Sequence, residues 1–277
     1  MRTVYDLHSH TLESDGTLTP TELVKRAASM GVKVLALTDH DVTNGIPEAQ
    51  NAAVAAGLKL VPGVEVSVTW HGRTIHILGL GIRHDDEILT KGLAGLRELR
   101  NERGREIGER LRSAGVENAY AGAKAYSHGA VLSRTHFARF LVEAGYAKDV
   151  GKAFKKYLLR GKAGYMRCEW VGLEDCLGWI HGAGGQTVIA HPGRYPMGSS
   201  TVRRLLGEFR DGGGSGIEVV CGNNNQNEIE RFARLANDFG LLASCGSDFH
   251  GPEQHWCELG RLSRIPEDCQ PVWRNWC

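Results

Sequence analysis

No apolar run in this 277-residue chain approaches the roughly 18 residues that a membrane-crossing helix requires, so a spanning segment is excluded. The opening residues, Met1-Arg2-Thr3-Val4-Tyr5-Asp6, enter a strand-like run at once. That leaves no room for a secretory leader, and the expected location is cytoplasmic. Paired cysteines are missing too. The seven cysteines stand at 168, 176, 221, 245, 257, 269 and 277 and form no C-x-x-C pair, which argues against a zinc knuckle or thioredoxin-type motif and for reduced thiols. No long lysine and arginine run interleaved with aromatics occurs, so an extended nucleic-acid tract is not indicated. What remains is ordinary globular usage, 42% hydrophobic and 23% charged, in a chain long enough to bury a substantial core.

Net charge is also scarce, at +1, but it hides a division. Residues 91–170 hold seventeen Lys and Arg against eight Asp and Glu; the rest of the chain holds sixteen against twenty-four. A basic module on an acidic body suits an anionic substrate, because the field concentrates it near the site.

Apolar runs and helical stretches alternate along residues 3–80. Val4–Leu7 reads as a strand ending in His8-Ser9-His10. Pro20–Met30 reads as a helix, with Thr19 as its cap, Pro20 in the first turn and Gly31 at its end. Val32–Leu37 is β-rich and ends in Thr38-Asp39-His40-Asp41. Pro47–Ala56 is a second helix closed by Gly57, and Leu58–Val61, Val64–Val68 and Thr74–Leu80 continue the strands across a His71-Gly72 turn. Such repetition predicts a parallel sheet covered by helices. From Asp85 to about Arg167 only helical periodicity is found, which reads as a helical insertion or lid. Strands then resume at Thr187–Ala190, Ile217–Val220 (leading into Cys221-Gly222-Asn223) and Leu241–Ser244.

Metal-competent side chains gather at the expected strand ends, where loops of a parallel barrel converge. His8 and His10, two apart on extended chain, point the same way. Asp15 follows in the turn Ser14-Asp15-Gly16-Thr17. One of Asp39, His40 and Asp41 is expected to face the barrel mouth, with the other two available as helix caps. Glu65 lies inside the apolar run Val64–Val68, and a carboxylate there is costly unless paired or metal-bound. His76, His191 and the pair Asp248 and His250 complete a set of six histidines and three carboxylates. Imidazole with carboxylate and no thiolate suits zinc, manganese or iron, and nine ligands fit two or three ions.

These motifs are His8-Ser9-His10-Thr11 with Ser14-Asp15-Gly16-Thr17, Thr38-Asp39-His40, Gly63-Val64-Glu65, His76, His191-Pro192 and Gly246-Ser247-Asp248-Phe249-His250. In order and spacing they resemble the polymerase-and-histidinol-phosphatase (PHP) family of metal-dependent phosphoesterases. The resemblance implies an α/β fold, a distorted seven-stranded (β/α)7 barrel formed by residues 1–84 and 168–277 with residues 85–167 as a helical insertion. It implies a first ion on His8, His10, Glu65 and Asp248, a second on Glu65, His76 and His191, and a third on Asp15, His40 and His250. Manganese is the expected metal, with zinc or iron as alternatives. The segment Leu132-Ser133-Arg134-Thr135-His136 resembles the nucleotide-acting branch, which includes 3′,5′-nucleoside bisphosphate phosphatases and 5′-to-3′ exoribonucleases.

The reaction expected on that basis is hydrolysis of a nucleotide phosphomonoester by hydroxide bridging the first two ions. It depends on Glu65, Asp248 and His191, with phosphate gripped by Arg134 and Arg194, since guanidinium binds phosphate bidentately. Expected substrates are small nucleotides and short RNA or DNA oligonucleotides, with no membrane and no obligate protein partner. Tyr126, Phe137 and Tyr157 are candidate base stackers. A histidinol-phosphate-type phosphatase, a metal-dependent amidohydrolase and an accessory metal-binding module remain open as alternatives.

Overall fold

In the computed structural model, which describes residues 4–222 and 224–276, strands and helices alternate and the strands curl into a nearly closed barrel. Met1, Arg2, Thr3, Asn223 and Cys277, named above, lie outside the described residues. β1 (Tyr5–Asp6) leads through the metal-competent loop to α1 (Pro20–Ser29), whose start is set by Thr19. The Thr19 hydroxyl and the Glu22 carboxylate cap each other's backbone nitrogens, and Pro20 occupies the first turn. β2 (Val34–Leu37), α2 (Ile46–Ala56), β3 (Lys59–Trp70) and β4 (Arg73–Leu80) follow. Gly57 ends α2 in a left-handed conformation that costs glycine least.

The helical stretch begins with α3 (Glu87–Ser113) and continues through α4 (Ala119–Ala125), α5 (Arg134–Glu143), α6 (Val150–Ala153) and a π-helical turn at Phe154–Leu158. The chain then adds the short strand β5 (Val171–Gly172) and returns to the barrel through α7 (Leu173–Gly182), β6 (Gln186–Ile189), α8 (Ser199–Asp211), β7 (Gly216–Cys221), α9 (Gln226–Phe239) and β8 (Leu242–Gly246). No helix among the described residues is long and apolar enough to cross a membrane.

Seven strands run β1-β2-β3-β4-β6-β7-β8 around the barrel, with β5 paired to β3 outside that path. The seam between β8 and β1 closes through the Leu7 amide on Cys245 and the Asp248 amide on His8, with a parallel bridge at Ser9 and Phe249. The expectation of an all-parallel sheet is corrected here. β4 runs antiparallel to both β3 and β6, because the two-residue turn at His71 and Gly72, both at positive φ, folds β4 directly back along β3. A parallel neighbour needs a crossover of a dozen residues, and none is available there.

Three apolar cores form among the described residues, one of them made by Val34, Ala36, Val61, Leu78, Leu80 and Val188 of the strands. The barrel core takes Leu89, Leu93 and Leu96 from the first half of α3, together with residues from the strands and the other helices. Ile107 and Leu111, from the second half of α3, join Phe137, Leu141 and Leu158 in a separate helical core. One continuous helix of 27 residues therefore ties the helical part to the barrel.

Candidate metal centre

Nine groups drawn from distant stretches of chain meet at one end of the barrel. Glu65 is their hub and is fully buried. Its Oε2 lies 3.3 Å from His8 Nε2, 3.3 Å from His10 Nε2 and 3.0 Å from His40 Nδ1. Its Oε1 lies 2.8 Å from His76 Nδ1 and 2.9 Å from His191 Nε2. Asp248 Oδ1 stands 3.2 Å from His8 Nε2 and 3.0 Å from His10 Nε2. Asp15 Oδ1 stands 3.3 Å from His250 Nε2 and 3.9 Å from His40 Nε2.

Two of these residues do not sit at strand ends, as the sequence suggested. Glu65 is in the middle of β3 and His76 in the middle of β4. β3 extends past the barrel mouth, and the loop after β2 pairs with it there: the Asp41 amide donates to Glu65 and the Glu65 amide to Asp39. Glu65 lies opposite Leu78 in the β3–β4 register and Ser67 opposite His76, so Glu65 and His76 are diagonal neighbours on one face.

Asp39 and Asp41 are not helix caps. Buried Asp39 accepts from the Thr11 amide and hydroxyl and from Ser14, which fixes the loop that presents Asp15. Buried Asp41 accepts from Arg100 and the Ser67 amide. The same energetic argument that singled out Glu65 also applies to Glu218, buried in the apolar strand β7, which sequence reading overlooked. Its carboxylate lies 2.9 Å from His8 Nδ1 and accepts from the His191 amide. A carboxylate behind an imidazole fixes the tautomer that aims the other ring nitrogen into the site. Gly246 permits this approach, since a Cβ there would stand 2.2 Å from His8 Cβ and 2.8 Å from Glu218 Oε1. Asp41, His191 and Asp248 all hold positive φ, a strain that clusters around this cavity.

The electrostatics call for cations. Burial opposes ionisation of Asp15, Glu65 and Asp248, yet the surrounding imidazoles, and Arg194 for Asp248, hold all three well below the usual carboxylate range. Burial alone would push His10 down, but Asp248 and Glu65 lift it to about 10. Burial keeps His40 at about 4, so its ring is neutral and its lone pair is available. Among the described residues, buried side-chain atoms without a hydrogen-bond partner include His8 Nε2, Asp15 Oδ1, His40 Nδ1, Glu65 Oε2 and His191 Nδ1. Unsatisfied buried polar atoms are costly, and four of these five, all but His191 Nδ1, belong to residues whose ligand atoms converge, which fits bound ions. Three sets have ligand atoms close enough to share an ion: His8, His10, Glu65 and Asp248; His40, Glu65 and His76; and His10, Asp15, His40 and His250. The donors are imidazole nitrogen and carboxylate oxygen throughout, as divalent manganese, zinc or iron require.

A cleft of about 330 Å³ opens from Asp15, His40 and His76 toward the helical part and is lined by Arg73, Arg100, Arg103, Arg134, Arg160 and Arg167. Burial and the neighbouring Arg134 and Arg100 depress Arg103 to about 9, and Arg134 is lowered by burial and by Arg100. Among the described residues Arg134 has no carboxylate partner. Ser133, at the start of α5, donates to Asp15 at 2.9 Å and joins the helical part to the centre. Arg194 lies elsewhere, half exposed and paired with Asp248. Of the three candidate stackers, Phe137 is buried in the helical core, Tyr157 packs edge-on to Tyr146, and Tyr126 donates to Glu143. The aromatics that line the arginine cleft are Phe154, Tyr165, Trp170 and Tyr195.

Residues 6–161 match the PHP domain. A 3′,5′-nucleoside bisphosphate phosphatase from Chromobacterium violaceum is 47% identical, over 98% of this chain and 95% of its own. The 5′-3′ exoribonuclease Rnm of Escherichia coli is 44% identical over 99% and 94%. A solved structure described as an amidohydrolase from Chromobacterium violaceum, with bound sulfate and no metal, superposes with a TM-score of 0.95 at 47% identity, over 98% of this chain and 95% of that one.

Proposed function

The chain belongs to the PHP domain family of metal-dependent phosphoesterases, and from that premise we propose that it removes the 3′-phosphate of a nucleoside 3′,5′-bisphosphate and also accepts short 5′-phosphorylated oligonucleotides. The observation that carries the substrate is the continuity between the carboxylate–imidazole cluster and an arginine-lined cleft. The relatives that carry these two activities in their names cover nearly the whole chain and support the same reading.

In this reading His8, His10, Glu65 and Asp248 hold one ion. Glu65, His76 and His191 hold a second, with His40 also in reach, and Asp15, His40 and His250 hold a third; manganese is the metal we expect. Divalent ions there would supply Lewis-acid stabilisation of phosphoryl oxygens and would make water more acidic. The chain does the rest. Glu218 holds His8 in register, and Asp39 holds the loop that carries Asp15. Arg134 and Arg103, half-buried cations beside like charges, take the second phosphate and exchange mutual repulsion for bidentate bonds. In the same reading Arg194, which pairs with Asp248, meets the scissile phosphate. Residues 85–167 act as the module that carries the second-phosphate grip.

A histidinol-phosphate-type substrate would leave several of these arginines without a partner, and an amide substrate would leave all of them so. The deciding experiment loads the protein with manganese. It then compares phosphate release from adenosine 3′,5′-bisphosphate, adenosine 5′-monophosphate and histidinol phosphate, and chain shortening of a 5′-phosphorylated RNA. The bisphosphate should lead. Preference for histidinol phosphate, or turnover of phosphate-free amides alone, would overturn the reading.

A further inference from the structure

A second cleft borders the candidate metal centre beside the arginine-lined one, with Thr135 and Phe154 lining both. On the side of Asp248 and His250 this cleft encloses about 430 Å³, and Arg194 and Trp256 also line it. It is continuous along Gln254 and Trp256 with a larger groove of about 590 Å³ whose lining is mainly apolar. Trp256 stands on the rim between them and is 64% exposed. Among the described residues the other exposed large hydrophobics, Val54, Ile88 and Leu159, are aliphatic. An exposed indole beside a cleft lined by Arg194, Asp248 and His250 offers a flat, amphipathic face that another planar ring can cover.

The loop that carries it is firmly built. The Gln254 amide donates to Gly251 at 3.1 Å and the Cys257 amide to Gln254 at 3.0 Å. The Cys257 thiol donates to the Ser247 carbonyl at 3.0 Å, one residue from Asp248. Thr17 and Arg139 hold Glu253 from the other side. These bonds hold the backbone on both sides of Trp256, and Arg194 lines the same cleft as Trp256, Asp248 and His250.

We propose that Trp256 is a stacking platform for the nucleobase of the nucleotide beyond the scissile phosphate, so that an oligonucleotide leaves the site through this second cleft. The inference rests on the functional reading above. In both substrates the same bond breaks, that between phosphorus and the 3′ oxygen of the nucleotide whose 5′-phosphate lies among the arginines. Water adds its oxygen to phosphorus and the 3′ oxygen gains a proton. In the bisphosphate, phosphorus departs as inorganic phosphate. In the oligonucleotide, phosphorus still carries the next nucleoside through its 5′ oxygen, and that remainder emerges as a new 5′-phosphorylated chain. The remainder cannot share the arginine cleft with the first nucleotide, and the opening past Arg194 leads to Trp256. Any base has a π-face, so the platform would serve every sequence.

The test compares adenosine 3′,5′-bisphosphate with a 5′-phosphorylated dinucleotide, using the manganese-loaded full chain. In Trp256→Ala, kcat/KM for the dinucleotide should fall about tenfold or more, chiefly through KM, which is what loss of one base–aromatic stack predicts. Bisphosphate turnover should stay within about twofold of the parent, and Trp256→Phe should recover most of the dinucleotide activity. A second measurement needs no metal. A dinucleotide with 2-aminopurine at its second position should be quenched on binding to metal-free protein and should lose that quenching with Trp256→Ala, whereas the label at the first position should not respond. Equal losses on both substrates, or quenching that survives the substitution, would overturn the platform. So would a change of oligomeric state with dinucleotide turnover intact, which would make Trp256 a protein contact. If the parent protein cleaves neither substrate, the functional reading itself fails.

Discussion

Glu218→Gln tests whether the buried carboxylate of β7 tunes the metal site or merely fills space. Glu218 is fully buried, with Oε1 2.9 Å from His8 Nδ1 and Oε2 2.5 Å from the His191 amide nitrogen. Both partners present an N–H when His8 directs Nε2 into the cluster. Glutamine keeps the shape but offers only one acceptor, so one of the two bonds is lost and an amide N–H faces a donor. Losing a hydrogen bond to a charged group costs about 1.5–3 kcal/mol, which at about 1.4 kcal/mol per factor of ten is one to two decades. Carboxylates behind metal-bound histidines cost a similar 10–100-fold when removed. Manganese titrated into metal-free protein against a fluorescent chelator should therefore show roughly 10–100-fold weaker binding at one class of site. Turnover should recover at saturating metal while thermal unfolding stays cooperative. Unchanged metal affinity in a folded variant would refute the tuning role. Loss of folding alone would reduce Glu218 to core support.

Three further expectations concern other parts of the molecule. Glu65→Gln should abolish metal-dependent turnover, because a single carboxylate faces five imidazoles; near-native phosphate release would contradict its bridging place. Arg134→Ala should lower kcat/KM for adenosine 3′,5′-bisphosphate about 10–100-fold, the worth of a charged hydrogen-bond pair, and should lower that for a simple monoester much less; equal losses would remove it from the second-phosphate site. Stability should also fall on acidification through His136, which burial holds at about 4 against an ordinary 6.5, the pull of Asp15 being weaker. The unfolded chain takes the proton below 6.5 and the native chain does not until about 4, so stability is full above 6.5 and falls by about 3 kcal/mol as pH drops to 4. His136→Gln, which can still accept from the Ser133 amide, should flatten that part of the urea-denaturation profile measured on metal-free protein between pH 7.5 and 5.

Short-range chemistry was legible in the sequence. Thr19 starts α1 by a local hydrogen bond and Pro20 by its fixed φ, and Gly31 and Gly57 end their helices at positive φ, so these boundaries follow from neighbouring residues alone. Glu65 and His76 were legible as candidate ligands for an energetic reason: a carboxylate or imidazole inside an apolar run needs a partner strong enough to repay its burial. Glu218 met the same criterion and could have been found by it. Tertiary structure alone decided the direction of β4, which reverses on a two-residue turn that gives no sign in hydrophobic periodicity of which neighbour it will pair with. It also carried Glu65 and His76 to mid-strand places at the mouth, converted Asp39 and Asp41 from expected caps into struts for a loop and an arginine, and set Arg134 and Arg194 at different openings. The reason is range. Caps and turns close over three or four residues of chain, whereas the charges that gather around Glu65 come from positions up to 126 residues away from it, where only the packing of the barrel determines which groups meet.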